Sequence, residues 1–208
     1  MTSPSSPRAG FEQVLASRRM CRDFLGDELP AAVLDKVLAA AFRAPSAGNT
    51  AGIELLVLEF TDVQRYWDAT LAGASRDHFR WPGLLKAPVL VVPVVNPGAY
   101  VERYGEPDKS SSGLGAGEEA WPVPYWFVDG GASVMAMLLS AESMGLGALF
   151  FGQFRHEPAV VEAFAIPPER RTLGTIALGY PAPGGQAPSA SARRGRPHPT
   201  DLIHRQNW

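Results

Sequence analysis

The stretch from residue 129 to residue 144 is apolar on nearly every side when it is drawn as a helix. Asp129 is suited to cap its N-terminus, and Gly145 can take the left-handed conformation that ends a helix. A helix with so little polar surface has to be covered by other elements. The sequence therefore predicts a fold that is built around one central, buried helix.

The rest of the chain supplies helices and strands in irregular alternation. Apolar residues at helical spacing predict helices over residues 11–17, 30–43, 63–71 and 157–164. β-Branched runs predict strands over residues 54–60, 88–95 and 172–180. Pro93 makes the second of these an edge strand or a bulged strand. Three or four strands among several helices indicate the α+β class.

A chain of 208 residues, 46% of them apolar, can bury one sizeable core. Residues 1–10 are interpreted as a disordered leader and residues 11–208 as a single domain. Within that domain the Gly-, Ser- and Pro-rich segment 100–125 is expected to be a lid or substrate loop, and residues 181–208 a C-terminal arm. The arm carries apolar residues that have no core near them in sequence and must dock elsewhere: Leu202, Ile203 and Trp208.

The net charge and the cysteine content limit which partners and which cellular compartment are expected for this protein. A formal net charge of -2 gives no electrostatic reason to expect nucleic acid or an anionic membrane as a partner. Cys21 is the single cysteine and the polar N-terminus does not resemble a signal peptide, so a cytoplasmic protein is expected. No apolar stretch is long and uninterrupted enough to predict a membrane span. A small-molecule partner is therefore favoured.

The sequence has no G-x-S-x-G elbow, no P-loop and no G-x-G-x-x-G after a strand. Its four histidines show no paired spacing, so no metal site is expected. Positive charge is instead concentrated near both ends of the chain, at Arg18, Arg19 and Arg22 and at Arg193, Arg194 and Arg196. Arginine binds phosphate through a bidentate fork, whereas an isolated arginine run is more often solvated. The residues alone leave an anion site and a solvated surface as alternatives.

Four segments, in order, are similar to the nitroreductase family. Residues 18–24 (RRMCRDF) resemble the family's R-R-S-x-R-x-F opening, and residues 44–49 (APSAGN) resemble its A-P-S-x-x-N turn. Residues 129–152 follow the family's central helix and the turn after it. Residues 178–181 (LGYP), the basic tail and residues 204–208 (HRQNW) make the fourth match. The chain is thereby identified as a member of this family.

The resemblance implies a central, mainly antiparallel sheet flanked by helices, in an intertwined homodimer with swapped C-terminal tails. It also implies FMN in two sites at the dimer interface, with NAD(P)H as the reductant. Docking on the second protomer would then account for the apolar residues of the C-terminal arm. Trp121, Tyr125 and Trp126 are candidate substrate contacts, and packing anchors are the equal alternative for this aromatic cluster.

By this resemblance, Arg18 meets the FMN phosphate and Arg22 lies near the N1/O2 edge of the flavin ring. The Gly152 backbone N–H falls near flavin N5, the atom that carries the hydride. Ser46 and Asn49 come from the other protomer, with Asn49 at the pyrimidine edge. The full predicted cofactor-binding set is Arg18, Arg19, Met20, Arg22, Pro45, Ser46, Ala47, Asn49, Phe150, Phe151, Gly152, Arg194 and Arg196.

Three departures from the family pattern concern the surroundings of the flavin. Met20 stands where relatives often have a serine that touches the phosphate. Residues 50–52 (TAG) replace a frequent Q-P-W, which leaves a less bulky wall beside the flavin. Residues 150–153 (FFGQ) replace P-x-E-G, so that the environment is more aromatic and less acidic. The departures predict an altered acceptor preference.

The resemblance implies a ping-pong reaction, in which NAD(P)H reduces FMN at N5 and leaves before a nitroaromatic or quinone-like acceptor binds on the same face. No side chain is required as an acid or a base, and Cys21 is expected to be a packed, inert thiol. An oxidative or flavin-modifying enzyme on the same scaffold is one alternative. A flavin- or deazaflavin-binding protein with little turnover is another.

Overall fold

The computed structural model describes residues 10–188, 192 and 194–208. Its helices are α1 (Phe11–Ser17), α2 (Ala31–Ala41), α3 (Thr61–Thr70), α4 (Ala74–Asp77), α5 (Pro97–Gly105), α6 (Tyr125–Ser143) and α7 (Glu157–Ala163). Its strands are β1 (Ile53–Glu59), β2 (Val89–Val95), β3 (Gly147–Phe151), β4 (Arg171–Thr172) and β5 (Thr175–Gly179). Apart from residue 10, the predicted leader lies outside the described residues.

The described strands form one sheet in the order β1-β2-β5-β3, with every neighbouring pair antiparallel, and the short β4 also pairs with β2. Successive residues of β2 point to opposite faces of the sheet, and helices cover both faces. Val89 and Val91 pack in a cluster with α2 and α6, whereas Leu90 and Val92 pack in a cluster with α3 and α7. These layers confirm the predicted α+β class with a central antiparallel sheet.

The predicted strand that contains Pro93 lies inside the sheet, and the prediction that it could be an edge strand is wrong. All of β2 is buried between β1 on one side and β4 and β5 on the other. Between the pairs Val91–Ile176 and Val94–Thr172, residues 173–175 face only residues 92–93. This bulge interrupts the ladder next to a residue that has no N–H to donate, which agrees with the alternative prediction of a bulged strand.

The central helix α6 begins earlier than the sequence predicts, and Asp129 is not its N-cap. The helix starts at Tyr125, so Asp129 lies one turn inside it. Its carboxylate instead accepts a hydrogen bond from the backbone N–H of Ala47, on another segment of the chain. At the other end Gly145 has a φ of +75°, which confirms the predicted left-handed residue after the last turn.

One face of α6 is exposed, although the composition of the helix predicts burial on nearly every side. The opposite face, which includes Met137 and Ala141, packs against α2 and the sheet. Val128 and Met135 lie two turns apart and are 51% and 36% exposed. Phe42, just beyond α2, is also exposed. Apolar side chains thus remain uncovered on the element that was expected to be fully buried.

Three elements were missed at the sequence level: the short helix α4, helix α5 and strand β3. Residues 147–151, interpreted as part of a turn, form strand β3 and pair along their whole length with β5. The predicted lid begins inside helix α5, whose N-terminus is capped by the Asn96 side chain through the amide of Ala99. The remainder of the lid contains three short 3-10 turns, over Ser110–Ser112, Leu114–Ala116 and Glu118–Ala120, and its last residue begins α6.

The apolar residues of the C-terminal arm do not pack into the core of this chain. Leu202, Ile203 and Trp208 are all exposed, and the ring of Trp208 stacks on His204 with a centroid separation of 4.4 Å. Within the described residues, no helix is long and apolar enough to cross a membrane.

Candidate functional site

The arginine-rich segment after α1 is fixed against the start of β3. The backbone N–H of Cys21 donates to the carbonyl oxygen of Ala148 at 2.9 Å, and Met20 forms an isolated parallel bridge with the same residue. The N–H of Arg22 donates to the carbonyl of Gly185 at 2.8 Å. Arginine side chains from this segment are therefore held at one end of the sheet by backbone contacts that do not depend on their charge.

Arg18 has a buried polar atom that this chain leaves unsatisfied. Its Nη1 is inaccessible to solvent and has no hydrogen-bond partner within the described residues. A buried guanidinium nitrogen without an acceptor is costly, so the arrangement fits an anionic group that is supplied from outside the chain. Arg19 is exposed and donates to the carbonyl oxygens of Ala16 and Arg18. The two neighbouring arginines are therefore not equivalent.

A cavity of about 360 Å³ opens beside this segment, at the end of β3. Four of the predicted cofactor-binding residues line it together: Arg22, Phe150, Phe151 and Gly152. We call it the aromatic cavity because most of its remaining wall is aromatic or apolar. The lining residues that sequence reasoning missed are Tyr66, Trp67, Thr70, Leu71, Phe79, Trp81, Leu84, Leu149, Gln153, Phe154 and His156.

The aromatic walls come mainly from α3 and the segment that follows it. Trp67 of α3 stacks on Phe151 with an interplanar angle of 8° and a centroid separation of 5.9 Å. Phe79 and Trp81 meet edge to face at 5.9 Å, and the guanidinium of Arg22 lies 6.0 Å from the Trp81 ring centroid. A slot with flat apolar sides and a cation at one side suits a planar ring that carries polar or negative atoms on one edge.

A buried polar network supports the floor of the aromatic cavity. The Tyr66 hydroxyl and Thr175 Oγ1 are 2.7 Å apart, and Gln153 Nε2 donates to the same threonine oxygen at 3.0 Å. Thr172 Oγ1 donates to Gln153 Oε1 at 2.6 Å, which fixes the orientation of the amide. Burial raises the pKa of Tyr66 to about 12. The phenol therefore stays protonated at neutral pH.

The described part of the chain contains no cluster of three or more His, Cys, Asp or Glu side chains that could hold a metal ion. Cys21 is buried, and its Sγ donates to the carbonyl oxygen of Asp23 at 3.1 Å. Burial raises the pKa of this thiol, which works against thiolate formation. The expected packed and inert thiol is thus supported by its surroundings.

The 44–49 turn, which contains Pro45, Ser46, Ala47 and Asn49, lies at the opposite end of α6 from Arg18. The Ala47 N–H bonds to Asp129 near the start of α6, whereas Ser17 Oγ donates to Glu142 Oε1 near its end, at 2.7 Å. At about 1.5 Å of rise per residue, these two anchor points are about 20 Å apart along the helix axis. One chain therefore does not bring the two predicted halves of the site together.

The three candidate substrate contacts lie with the 44–49 turn and away from the aromatic cavity. Trp121 and Trp126 are only 7% and 5% exposed and pack on Tyr100, as expected of packing anchors. Tyr125 is half-exposed and lines a separate groove with Ala47 and Trp121. Within one chain none of the three lines the cavity that holds Arg22 and Gly152.

Arg194 and Arg196, predicted at the phosphate, are exposed on the C-terminal arm. Arg193 lies outside the described residues. The position of the arm in this chain thus leaves both described arginines facing solvent, as it does the apolar residues that follow them.

Comparison with known proteins matches residues 15–180 to the nitroreductase family. A protein from Archaeoglobus fulgidus, named as an NADH dehydrogenase/NAD(P)H nitroreductase, is 24% identical, and the alignment covers 94% of this chain and 97% of the relative. A 4-nitrobenzoate reductase from Nocardioides sp. (strain LMS-CY) is 26% identical and covers 82% and 80%. A Desulfovibrio desulfuricans protein crystallised with FMN has a TM-score of 0.68 at 20% identity, with 99% of both chains covered. Because the family match spans most of the chain, this protein belongs to the nitroreductase family.

Proposed function

We propose that this chain is an FMN-dependent oxidoreductase that takes a hydride from NAD(P)H and passes it to a nitroaromatic or quinone-like acceptor. The single observation that carries the proposal is that Arg22, Phe150, Phe151 and Gly152 line one aromatic cavity, with Arg22 on the same segment as the unsatisfied Arg18. Motifs that are far apart in the sequence predict a set of residues in contact with one flavin. Four residues of that set line the same cavity. The relatives named for FMN, NAD(P)H and nitrobenzoate support the same chemistry.

The residues present fit the cofactor in charge, shape and polarity. The unpaired Nη1 of Arg18 suits the FMN phosphate, and the flat walls of the cavity suit the isoalloxazine ring. Arg22 would place positive charge beside the ring, which stabilises a reduced, anionic flavin. The bound flavin supplies hydride transfer at N5. The chain supplies placement, charge and exclusion of water, and NAD(P)H and the acceptor would use the same face in turn.

The proposed active unit is a homodimer, because each site needs the 44–49 turn of a second copy. The turn contacts α6 through Ala47, about 20 Å along the helix axis from the contact that Ser17, the residue before Arg18, makes with the other end of α6. Within one chain the turn and the arginine segment therefore lie at opposite ends of this helix. The uncovered apolar residues Val128 and Met135 on α6, with Phe42 just beyond α2, provide a surface on which a second copy can pack.

The C-terminal arm is proposed to embrace the second copy. Its apolar residues find no place in the core of their own chain, and Arg194 and Arg196 on the same arm remain free to approach a phosphate. Burial of Leu202, Ile203 and Trp208 on the partner would offset the cost of ordering the arm.

The first experiment is to purify the protein, record its visible spectrum and titrate it with FMN. We expect a yellow dimer, a melting temperature that rises with FMN by mass action, and NAD(P)H oxidation that depends on an added nitroaromatic or quinone under anaerobic conditions. Arg18→Ala should release FMN, whereas Arg170→Ala, which removes an arginine bound to Glu54, should not. A colourless monomer whose melting temperature ignores FMN would exclude the proposal. Tight stoichiometric binding with negligible turnover would favour a binding protein instead.

A further inference from the structure

The 44–49 turn and the residues just after it have an unfavourable backbone conformation. Gly48, Asn49 and Ala51 all have positive φ values, of 63°, 55° and 50°. The left-handed region is uncommon for residues other than glycine and persists only where the surroundings impose it. Within the turn, the Asn49 N–H donates to the Ser46 carbonyl oxygen at 2.9 Å and the Ala51 N–H to Ser46 Oγ at 3.0 Å. These bonds do not connect the turn to the rest of the fold, but two side chains from other elements also make hydrogen bonds to its backbone.

Asp129 makes the first of these contacts. Its Oδ2 accepts the Ala47 N–H at 2.7 Å and the Tyr100 hydroxyl at 2.9 Å. Tyr100 is almost fully buried and packs edge to face against Trp121 and Trp126, so its hydroxyl is fixed in place. Because Asp129 lies on α6, the longest of the described helices, this contact connects the turn to the helix that packs against the sheet.

Arg103 of α5 makes the second contact, on the far side of the turn. Its Nε donates to the carbonyl oxygen of Gly48 at 2.9 Å. Its two terminal nitrogens bind both carboxylate oxygens of Asp108 at 2.7 and 2.8 Å, and Nη1 also contacts Glu106 at 3.0 Å. A guanidinium that makes bidentate hydrogen bonds to a carboxylate has little rotational freedom. The beginning of the lid and the turn are thus tied to each other through one side chain.

We propose that Asp129 and Arg103 are positioning residues, which clamp the 44–49 turn in the shape that presents Ser46 and Asn49 to the FMN of the second copy. The inference rests on the proposed function, since it names how one half of that site is built. It assigns these two residues a role at a flavin that neither of them touches. The clamp also orders the turn before FMN binds. The free energy of FMN binding is then not reduced by the entropic cost of ordering the turn.

The test compares Asp129→Ala, Asp129→Asn and Arg103→Met with Arg170→Met as the matched control. Alanine keeps the helix but leaves the Ala47 N–H and the Tyr100 hydroxyl without an acceptor, whereas asparagine retains one acceptor oxygen. Arg170 also binds a carboxylate, that of Glu54, but makes no bond to the turn. Amide hydrogen exchange of residues 44–51 is measured without FMN, and the FMN dissociation constant is measured separately.

Both positioning variants should exchange their turn amides at least about tenfold faster and bind FMN about tenfold more weakly. Asp129→Asn should restore most of both properties, and Arg170→Met should change neither. Faster exchange confined to the turn is the signature that a general loss of stability would not give. If Asp129→Ala does not fold, Arg103→Met decides, because its side chain is partly exposed and its removal opens no core cavity.

Unchanged exchange in the turn, or faster exchange with unchanged FMN affinity, would overturn the clamp while leaving the proposed function intact. Absence of FMN binding in the unmodified protein would overturn the proposed function and, with it, the assigned role of the clamp. In that case the exchange data would still show whether the two residues hold the turn.

Discussion

The side chain of Phe154 folds back over Gly152, so that a Cβ atom at position 152 would stand 2.7 Å from Cζ of the ring. Phe154 itself has a φ of +46°, which is rare for an aromatic residue, and the residue is 87% exposed. Both residues line the aromatic cavity. The backbone at the proposed hydride-transfer edge is therefore covered by a ring that little else holds in place.

Gly152→Ala is predicted to slow flavin reduction by on the order of tenfold or more, because the new methyl group must displace the Phe154 ring and with it the geometry at the N–H near N5. Stopped-flow reduction of the FMN-loaded enzyme by NADH measures this step. The double variant Gly152→Ala/Phe154→Ala should recover part of the rate, with Phe154→Ala as its control. Equal rates for the single and double variants would show that the ring does not transmit the effect.

The sequence was sufficient to predict the elements that have local signals. The helix around Val134 to Ala141 follows from continuous apolar composition, and strands β1, β2 and β5 follow from β-branched runs. Arg22 and Gly152 were predicted from short motifs to share one site, and the structure puts both on the same cavity. Composition, turn residues and short motifs each depend on a few neighbouring positions. They can therefore be interpreted from the sequence without knowledge of the tertiary contacts.

Features that depend on tertiary contacts could not be predicted. Trp67 and Trp81 become walls of the cavity only through tertiary contacts, of Trp67 with Phe151 and of Trp81 with Arg22, and no motif marks either tryptophan. Asp129 has the properties of an N-cap, but the helix begins a turn earlier and the carboxylate is used by a distant backbone N–H. Pro93 is tolerated in a central strand because its missing N–H falls opposite the bulge between β4 and β5. That bulge arises from the pairing of the strands, which the sequence does not reveal.

Mixed dimers should recover FMN sites that neither parent variant has. In Arg18→Ala both sites lose the phosphate contact, and in Asn49→Ala both lose the contact from the turn. If these two contacts come from different chains, a mixed dimer contains one site with both defects and one intact site. Differently tagged chains, co-expressed and purified as the mixed species, should therefore bind about half as much FMN as the unmodified dimer, at a concentration that neither variant saturates. No recovery would mean that both contacts to one flavin come from the same chain.

The thiol of Cys21 should be unreactive in the folded protein. It is fully buried, and a Cβ atom built on Gly147 would lie 2.7 Å from its sulfur, so a reagent has no room to approach. Burial also raises its pKa above the ordinary 9.0. Reaction with a chromogenic disulfide at pH 8 should be at least about a hundredfold slower than in urea-unfolded protein. A rapid reaction in the native state would show that this part of the core opens readily.

Ionisation of the Tyr66 phenol should lower the free energy of unfolding at high pH. Its pKa is 10.0 in an unfolded chain and rises to about 12 in the folded protein, mainly through burial. The protonated phenol therefore contributes stability that is complete below pH 10 and is lost as the pH rises toward 12, by up to about 2–3 kcal/mol. Urea unfolding from pH 8 to 11.5 measures the decline, and Tyr66→Phe, which cannot ionise, should show a shallower one even though it lacks the bond to Thr175. Parallel curves for the two proteins would show that Tyr66 titrates normally.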